Sequence, residues 1–182
     1  AGLTSAFGDR VAVKPDTILA LIDFASIHMY PISNANSWNW QQTAVAAGPA
    51  RAQASMEASL VTAKANYNAV AAYQYRGAAG TTVSVGASMP IVVGETGWKA
   101  RQTNPGSEIE QFEATAVNAK WYFDLLYGNP SKNYPSWQGS AGGPLTIFYF
   151  EAFDEAWKGT DDGWGLWNAA RSARYVFCGT PS

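Results

Sequence analysis

The sequence predicts an α/β fold with a parallel sheet, and three observations carry that expectation. Segments 22–30 (IDFASIHMY), 90–95 (PIVVGE) and 145–153 (LTIFYFEAF) are apolar at successive positions, not at every second one. That is the pattern of strands covered on both faces. Between them lie stretches with apolar residues three and four apart, the spacing of one helix face. Strand, helix, strand, helix is the grammar of parallel sheets.

Taken in order, 2–7 (GLTSAF) is a weaker strand candidate, followed by the strand at 22–30. A helix is expected over 50–75, where Met56, Leu60, Ala63, Tyr67 and Val70 share a face, between Gly48-Pro49 and Gly77. After the strand at 90–95, Ser107 and Glu110 form a capping-box pattern ahead of Ile109, Phe112, Ala116, Ala119, Phe123 and Leu126. Gly128-Asn129-Pro130 stops that helix. The strand at 145–153 comes next, and a short helix over 169–177 closes the pattern. Loops rich in Gly, Ser, Asn and Pro fall at 103–106, 130–143 and 159–163. With no internal repeat or linker, residues 1–182 are expected to form a single domain.

Composition narrows the function. Net charge is −2 and the pI about 5.3, with no basic stripe of the kind that nucleic-acid binding needs. The most apolar stretch, 17–32, is interrupted by Asp23 and His28 and is too short to span a bilayer. Cys178 is the single cysteine, which rules out an internal disulfide framework or a Cys-rich zinc site; packing is its expected role. Asp161-Asp162-Gly163 lacks calcium-loop spacing and is expected to be a turn. The N-terminal residues show no basic region followed by an apolar run, so no signal peptide is expected in this stretch. Eight Trp, nine Tyr and eight Phe exceed the need of a core this size. Aromatic faces stack on the C–H faces of sugars, so a carbohydrate ligand competes with a large aromatic core as the explanation.

Each strand pattern ends in polar groups: His28-Met29-Tyr30-Pro31, Glu95-Thr96-Gly97-Trp98, and Glu151 through Lys158. The C-terminal ends of parallel strands are where barrel enzymes build their sites. Strand alternation predicts that Ile91, Val93 and Glu95 share a face, as do Ser26, His28 and Tyr30, and Glu151, Phe153 and Glu155. A carboxylate following Ile and Val on one buried face is costly unless paired or used. Glu95 is therefore either a structural ion-pair acid or a functional group. Glycoside hydrolysis needs two carboxyl groups, and Asp23, Glu151, Asp154 and Glu155 could supply the second.

At this point the residues resemble a family. PIVVGETGW (90–98) is similar to the nucleophile strand of glycoside hydrolase family 17, the β-1,3-glucanases and related glucosyltransferases. FYFEAFDEAWK (148–158) resembles that family's last strand, IDFASIHMYP (22–31) the strand before the nucleophile strand, and DGWGLWN (162–168) the aromatic segment that follows. The resemblance implies a retaining glycoside hydrolase or transglycosylase acting on β-1,3-glucan without metal or organic cofactor. It implies Glu95 as nucleophile, with Glu155 as a second catalytic-site carboxylate and Lys158 beside it in a charged network. It further implies that His28, Tyr30, Glu151, Trp98 and Trp164 line the sugar site, and that the protein is secreted, periplasmic or on the cell surface.

The same resemblance carries a departure. The family's general acid stands in an Asn-Glu pair at the end of the fourth strand, and no Asn precedes a Glu in this sequence. A full (β/α)8 barrel takes about 250 residues, and this chain shows three clear strand units and one weak one. The expected architecture is a partial (β/α)8 barrel of about four C-terminal β/α units. Such a half-barrel has open edges and an uncovered inner face. A second copy, another polypeptide or the chain's own long insertions would have to cover them. A non-catalytic carbohydrate-binding half-barrel, or a subunit that assembles with a missing N-terminal half, is the alternative function.

Overall fold

The computed structural model describes residues 18–30, 49–101, 114–158 and 163–174. In chain order these hold strand β1 (Ala25–His28), helix α1 (Pro49–Ala72), a hairpin of β2 (Gln74–Arg76) and β3 (Thr82–Ser84), and the single turn α2 (Val85–Ser88). They continue with β4 (Ile91–Thr96), α3 (Ala116–Tyr127) and β5 (Ile147–Tyr149), plus 3-10 turns at Pro130–Lys132 and Ala156–Lys158. β1, β4 and β5 form one sheet in that order, and both pairings are parallel. This is a mixed α/β chain with a parallel sheet, and the three expected strands are neighbours in the expected order. No described helix is long and apolar enough to cross a membrane.

The central strand carries one residue more than its neighbours. Ala25, Ser26 and Ile27 pair with Ile91, Val92 and Val93, but the next partner of β1, His28, is Glu95. On the other side Val93 pairs with Ile147 and Thr96 with Tyr149, so three steps along β4 match two along β5. The extra residue is a β-bulge at Gly94-Glu95, which reverses the alternation beyond it. Ile91, Val93 and Ile147 face the helices in the main core. Glu95 shares its face with His28, Ser26 and Val92. The expectation that Glu95 follows Ile91 and Val93 on one face is thereby corrected: simple parity fails at the bulge.

Glycine is required there. A Cβ on Gly94 would run into Ser26 Oγ, and one on Gly97 into the Phe150 carbonyl oxygen. Thr96, beyond the bulge, turns to the helix side, is fully buried, and its hydroxyl lies 2.7 Å from the hydroxyl of Tyr122 on α3.

The helices cover one face of the sheet. On α1, Met56, Leu60, Ala63 and Tyr67 are buried as their spacing predicts, and Tyr67 meets Trp137 edge-on at 5.3 Å. On α3, Ala119, Tyr122 and Leu126 enter the core, while Phe123 stays half-buried against Tyr127 and Tyr149. Burying each of these large apolar side chains contributes roughly 1.5–3 kcal/mol. The Tyr127 hydroxyl donates to the Ile147 carbonyl at 2.9 Å, tying α3 to β5.

Several element boundaries depart from the sequence expectation. α1 ends at Ala72, before Gly77, because 74–84 forms the β2–β3 hairpin around a turn in which Gly80 has φ +77°. α3 begins at Ala116: Thr115 is extended and its side chain accepts from the Asn118 N–H, so the helix is capped there and does not continue from Ser107. Ser107-Glu110 itself lies outside the described residues, as do segment 2–7, Asp161-Asp162 and Cys178. β5 is shorter than 145–153 and ends at Tyr149, so Glu151, Phe153 and Glu155 are not aligned by strand parity. The described part of the expected last helix, 169–174, is a turn instead. Asn168 accepts from Ser172 N–H through its side chain, and Arg171 is left-handed at φ 65°.

Two outcomes follow. Gly94→Ala is expected to destabilise the fold by about 1–3 kcal/mol through overpacking, read as a lowered urea midpoint. Adding Ser26→Gly, which removes the obstructing hydroxyl, recovers part of the loss. Gly97→Ala meets backbone and gains no such rescue. The second outcome concerns alkali. Burial pushes the Tyr127 phenol up to about 12, against a hydrogen-bonding effect of opposite sign, and burial raises Tyr122 further. The unfolded chain releases these protons near pH ~10 while the folded chain keeps them. Their contribution is thus complete below pH ~10 and declines as pH rises through about 12. Denaturation midpoints measured across that range fall, and Tyr127→Phe makes the fall shallower.

Candidate active site

At the C-terminal end of the sheet the bulge delivers Glu95 to the face away from the helices. Its carboxylate is held from two sides. Tyr30 donates its hydroxyl to Oε1, and His28 presents Nδ1 to Oε2 at 3.1 Å. Both partners come from β1 and the two residues after it, which places them on the bulged register opposite Glu95. The Glu95 side chain is 30% exposed and that of His28 61%, so the carboxylate is fixed yet reachable. The Tyr30 phenol is held far above its ordinary range, first by burial, then by its bond to Glu95 and the negative charges of Glu95 and Glu151. It therefore remains a hydrogen-bond donor throughout the physiological pH range.

A second charged cluster lies past β5. Lys158 Nζ is 3.1 Å from Glu151 Oε2 and also pairs with Glu155. Glu151 is buried; Glu155 is partly open. The bond to Lys158 is the main cause that lowers the Glu155 pKa, and Glu155 in turn pushes Lys158 up to about 12. Glu155 and Lys158 are both charged at neutral pH. The Phe150–Glu151 peptide is cis.

Aromatic rings bridge the two clusters. Tyr30 packs edge-on against Trp164 at 5.5 Å and against Phe150 at 6.3 Å, and Phe150 and Trp164 are 6.2 Å apart. The Lys158 ammonium sits 4.6 Å from the Phe150 ring centre, and that of Lys99 5.8 Å from Trp164. His28, Tyr30, Glu95, Glu151, Glu155, Lys158 and Trp164 are thus joined in one aromatic and charged wall. Trp98 is corrected out of it. It is 3% exposed and packs against Tyr122 on the helix side, so it has no free face for a sugar.

The remaining carboxylate candidates have other positions. Asp23 is exposed ahead of β1, at the opposite end of the strand from Glu95. Asp154 is fully buried, pairs with Arg174 and accepts from the Gly165 N–H at 2.5 Å, while Arg174 Nε donates to the Gly165 carbonyl at 3.0 Å. This brace fixes the segment carrying Trp164, and a Cβ on Gly165 would strike the Asp154 backbone N and the Trp167 carbonyl oxygen. Sequence inspection missed Phe150, Arg174 and the brace. The Phe-x-x-x-Asp spacing of 150–154 was visible, but its partners lie up to twenty residues away. A groove of about 690 Å³ opens at the other end of the sheet beside Met89, Pro90 and Leu145. No charged side chain lines it.

No protein-family model and no curated protein matches the sequence. Among solved structures, the chain is similar to an endo-laminarinase from Formosa Hel1_33_131, with 21% identity and a TM-score of 0.49 over 85% of this chain and 38% of that one. It is also similar to an active-site mutant of the Rhizomucor miehei β-1,3-glucanosyltransferase in complex with laminaritriose, with 16% identity and a TM-score of 0.44 over 89% of this chain and 45% of that one. The chain spans less than half the length of either of these two glucan-active proteins.

Proposed function

We propose that this chain carries the nucleophile half of a retaining β-1,3-glucan hydrolase or transglycosylase of the family 17 type, built as part of a (β/α)8 barrel. The observation that carries the proposal is the fixed and accessible carboxylate of Glu95, held by Tyr30 and His28 at the C-terminal end of a parallel sheet and flanked by an aromatic wall. The linkage and the family follow from the likeness of PIVVGETGW and FYFEAFDEAWK to that family's strands. A secreted, periplasmic or cell-surface location is part of the same reading and is carried over from the family resemblance.

In this mechanism a Glu95 oxygen attacks the anomeric carbon, forming a glycosyl ester as the bond to the leaving oxygen breaks. Tyr30 and His28 keep the carboxylate plane oriented for attack, which limits the entropy lost on reaching the transition state. A water or a sugar hydroxyl then displaces Glu95 and restores it. The leaving oxygen must receive a proton in the first step. Glu155 is bound to Lys158, which holds its pKa down and makes it a poor donor. The absence of the family's Asn-Glu pair points to an acid supplied from elsewhere.

A specific observation favours an associating partner. Phe24 and Phe148, on the Glu95 side of the sheet, are 56% and 59% exposed. A second copy, or a polypeptide supplying the other wall and the acid, would cover them. Light scattering is expected to show a species larger than the monomer at micromolar concentration, and Phe148→Glu to shift it toward monomer. A compact wild-type monomer would count against this arrangement.

Glu95→Gln is expected to lower turnover of laminari-oligosaccharides by at least about a thousandfold while leaving binding intact, since the amide cannot form the ester. β-Glucosyl fluoride, whose leaving group needs little protonation, tests the nucleophile alone. Its consumption by wild type and not by Glu95→Gln supports the mechanism even where natural glucan is not cleaved. Fluoride release that survives Glu95→Gln rejects Glu95 as nucleophile.

A further inference from the structure

The 3-10 turn Ala156–Lys158 places one tryptophan where the core cannot use it. Trp157 is 79% exposed, the most open tryptophan among the described residues. A side chain with that much apolar area is ordinarily turned inward or left free to move. Here the ring is held. The Lys158 ammonium, fixed by Glu151 and Glu155, lies 5.3 Å from the ring centre. The same ammonium sits over Phe150, which contacts Trp164 and Tyr30. A continuous chain of contacts therefore runs from Glu95 through Tyr30, Phe150 and Lys158 out to Trp157.

With Lys158 beside the ring and most of the side chain open, the indole has an exposed ring face to offer a ligand. A β-linked glucosyl unit suits such a face, because its hydroxyls are equatorial and its axial C–H bonds point to either side of the ring. The neighbouring Glu155 and Lys158 can receive hydrogen bonds from, or donate them to, the hydroxyls at the sugar's rim. A free surface tryptophan would lose rotamer entropy on binding, whereas this one is already oriented.

We propose that Trp157 is a preorganised stacking platform for a further glucosyl unit, beyond the two nearest Glu95. The platform rests on the glucan reading above and extends it: chains longer than two sugars gain a contact that short ones do not reach. The test is calorimetric titration of laminaribiose and laminarihexaose into the full chain carrying Glu95→Gln, so that no turnover intervenes. Adding Trp157→Ala is expected to weaken laminarihexaose binding about tenfold, roughly the loss of one good aromatic contact, and to leave laminaribiose unchanged. Trp157→Phe, which keeps a ring, retains most of the hexaose affinity. Unaltered hexaose binding in Trp157→Ala overturns the platform, and so does an equal loss for both sugars. A wild-type chain that binds neither sugar overturns the glucan reading itself, a result distinct from failure of the platform alone.

Discussion

A parallel strand that keeps strict alternation sends every second side chain to the same face, and β4 does not keep it. The additional residue at Gly94-Glu95 lets Ile91 and Val93 remain in the helix-covered core while Glu95 emerges on the opposite face. Without the bulge, Glu95 would follow Val93 beneath α3, where a carboxylate pays a large desolvation cost. With it, the next residue, Thr96, is the one that points to the helices. Its hydroxyl meets Tyr122 there, so the polar group on the buried side is satisfied. The bulge separates the packing function of β4 from its chemical one within two residues.

The neighbours are arranged around that register. Gly94 is bare because Ser26 occupies the space of a Cβ, and Gly97 because the Phe150 carbonyl does. β1 then brings His28 and Tyr30 against the carboxylate from the strand edge. On the other flank the chain leaves β5 and builds its second cluster around Lys158, with Phe150 as the shared surface. An ammonium between two carboxylates and over an aromatic ring is held by several weak contacts acting together. The partly open Glu155–Lys158 pair contributes little alone, so its consequence is orientation more than stability.

The Asp154–Arg174 brace differs in kind. Asp154 is removed from water, and Arg174 and the Gly165 N–H both reach its carboxyl group. Removing one partner of such a buried pair costs far more than the pair contributes. The result is that Trp164, one residue from Gly165, is carried on a rigid segment and meets Tyr30 edge-on. The nucleophile candidate is thus supported indirectly from the last part of the chain.

The sequence alone determined the three strands of the parallel sheet, their parallel grammar and the residues that gather at one end of it. Those features depend on apolar pattern and on short motifs, both local in the chain. Periodicity also placed the buried face of α1 correctly, since Met56, Leu60, Ala63 and Tyr67 lie within a few turns of one another. What only the tertiary structure decided was which face each residue took after a non-local pairing. The bulge is set by the lengths of β1 and β5 across from β4, so alternation read along β4 alone assigned Glu95 to the wrong face. Trp98 looked like Trp164 in the sequence, an aromatic beside a glycine, yet Tyr122 from α3 claimed it for the core. Capping followed the same logic. Thr115 forms an isolated β-bridge with Arg101, and a helix continuous from Ser107 could not form across that bridge. Local patterns name the elements; pairing partners far along the chain decide which side of each element meets the core and which meets a ligand.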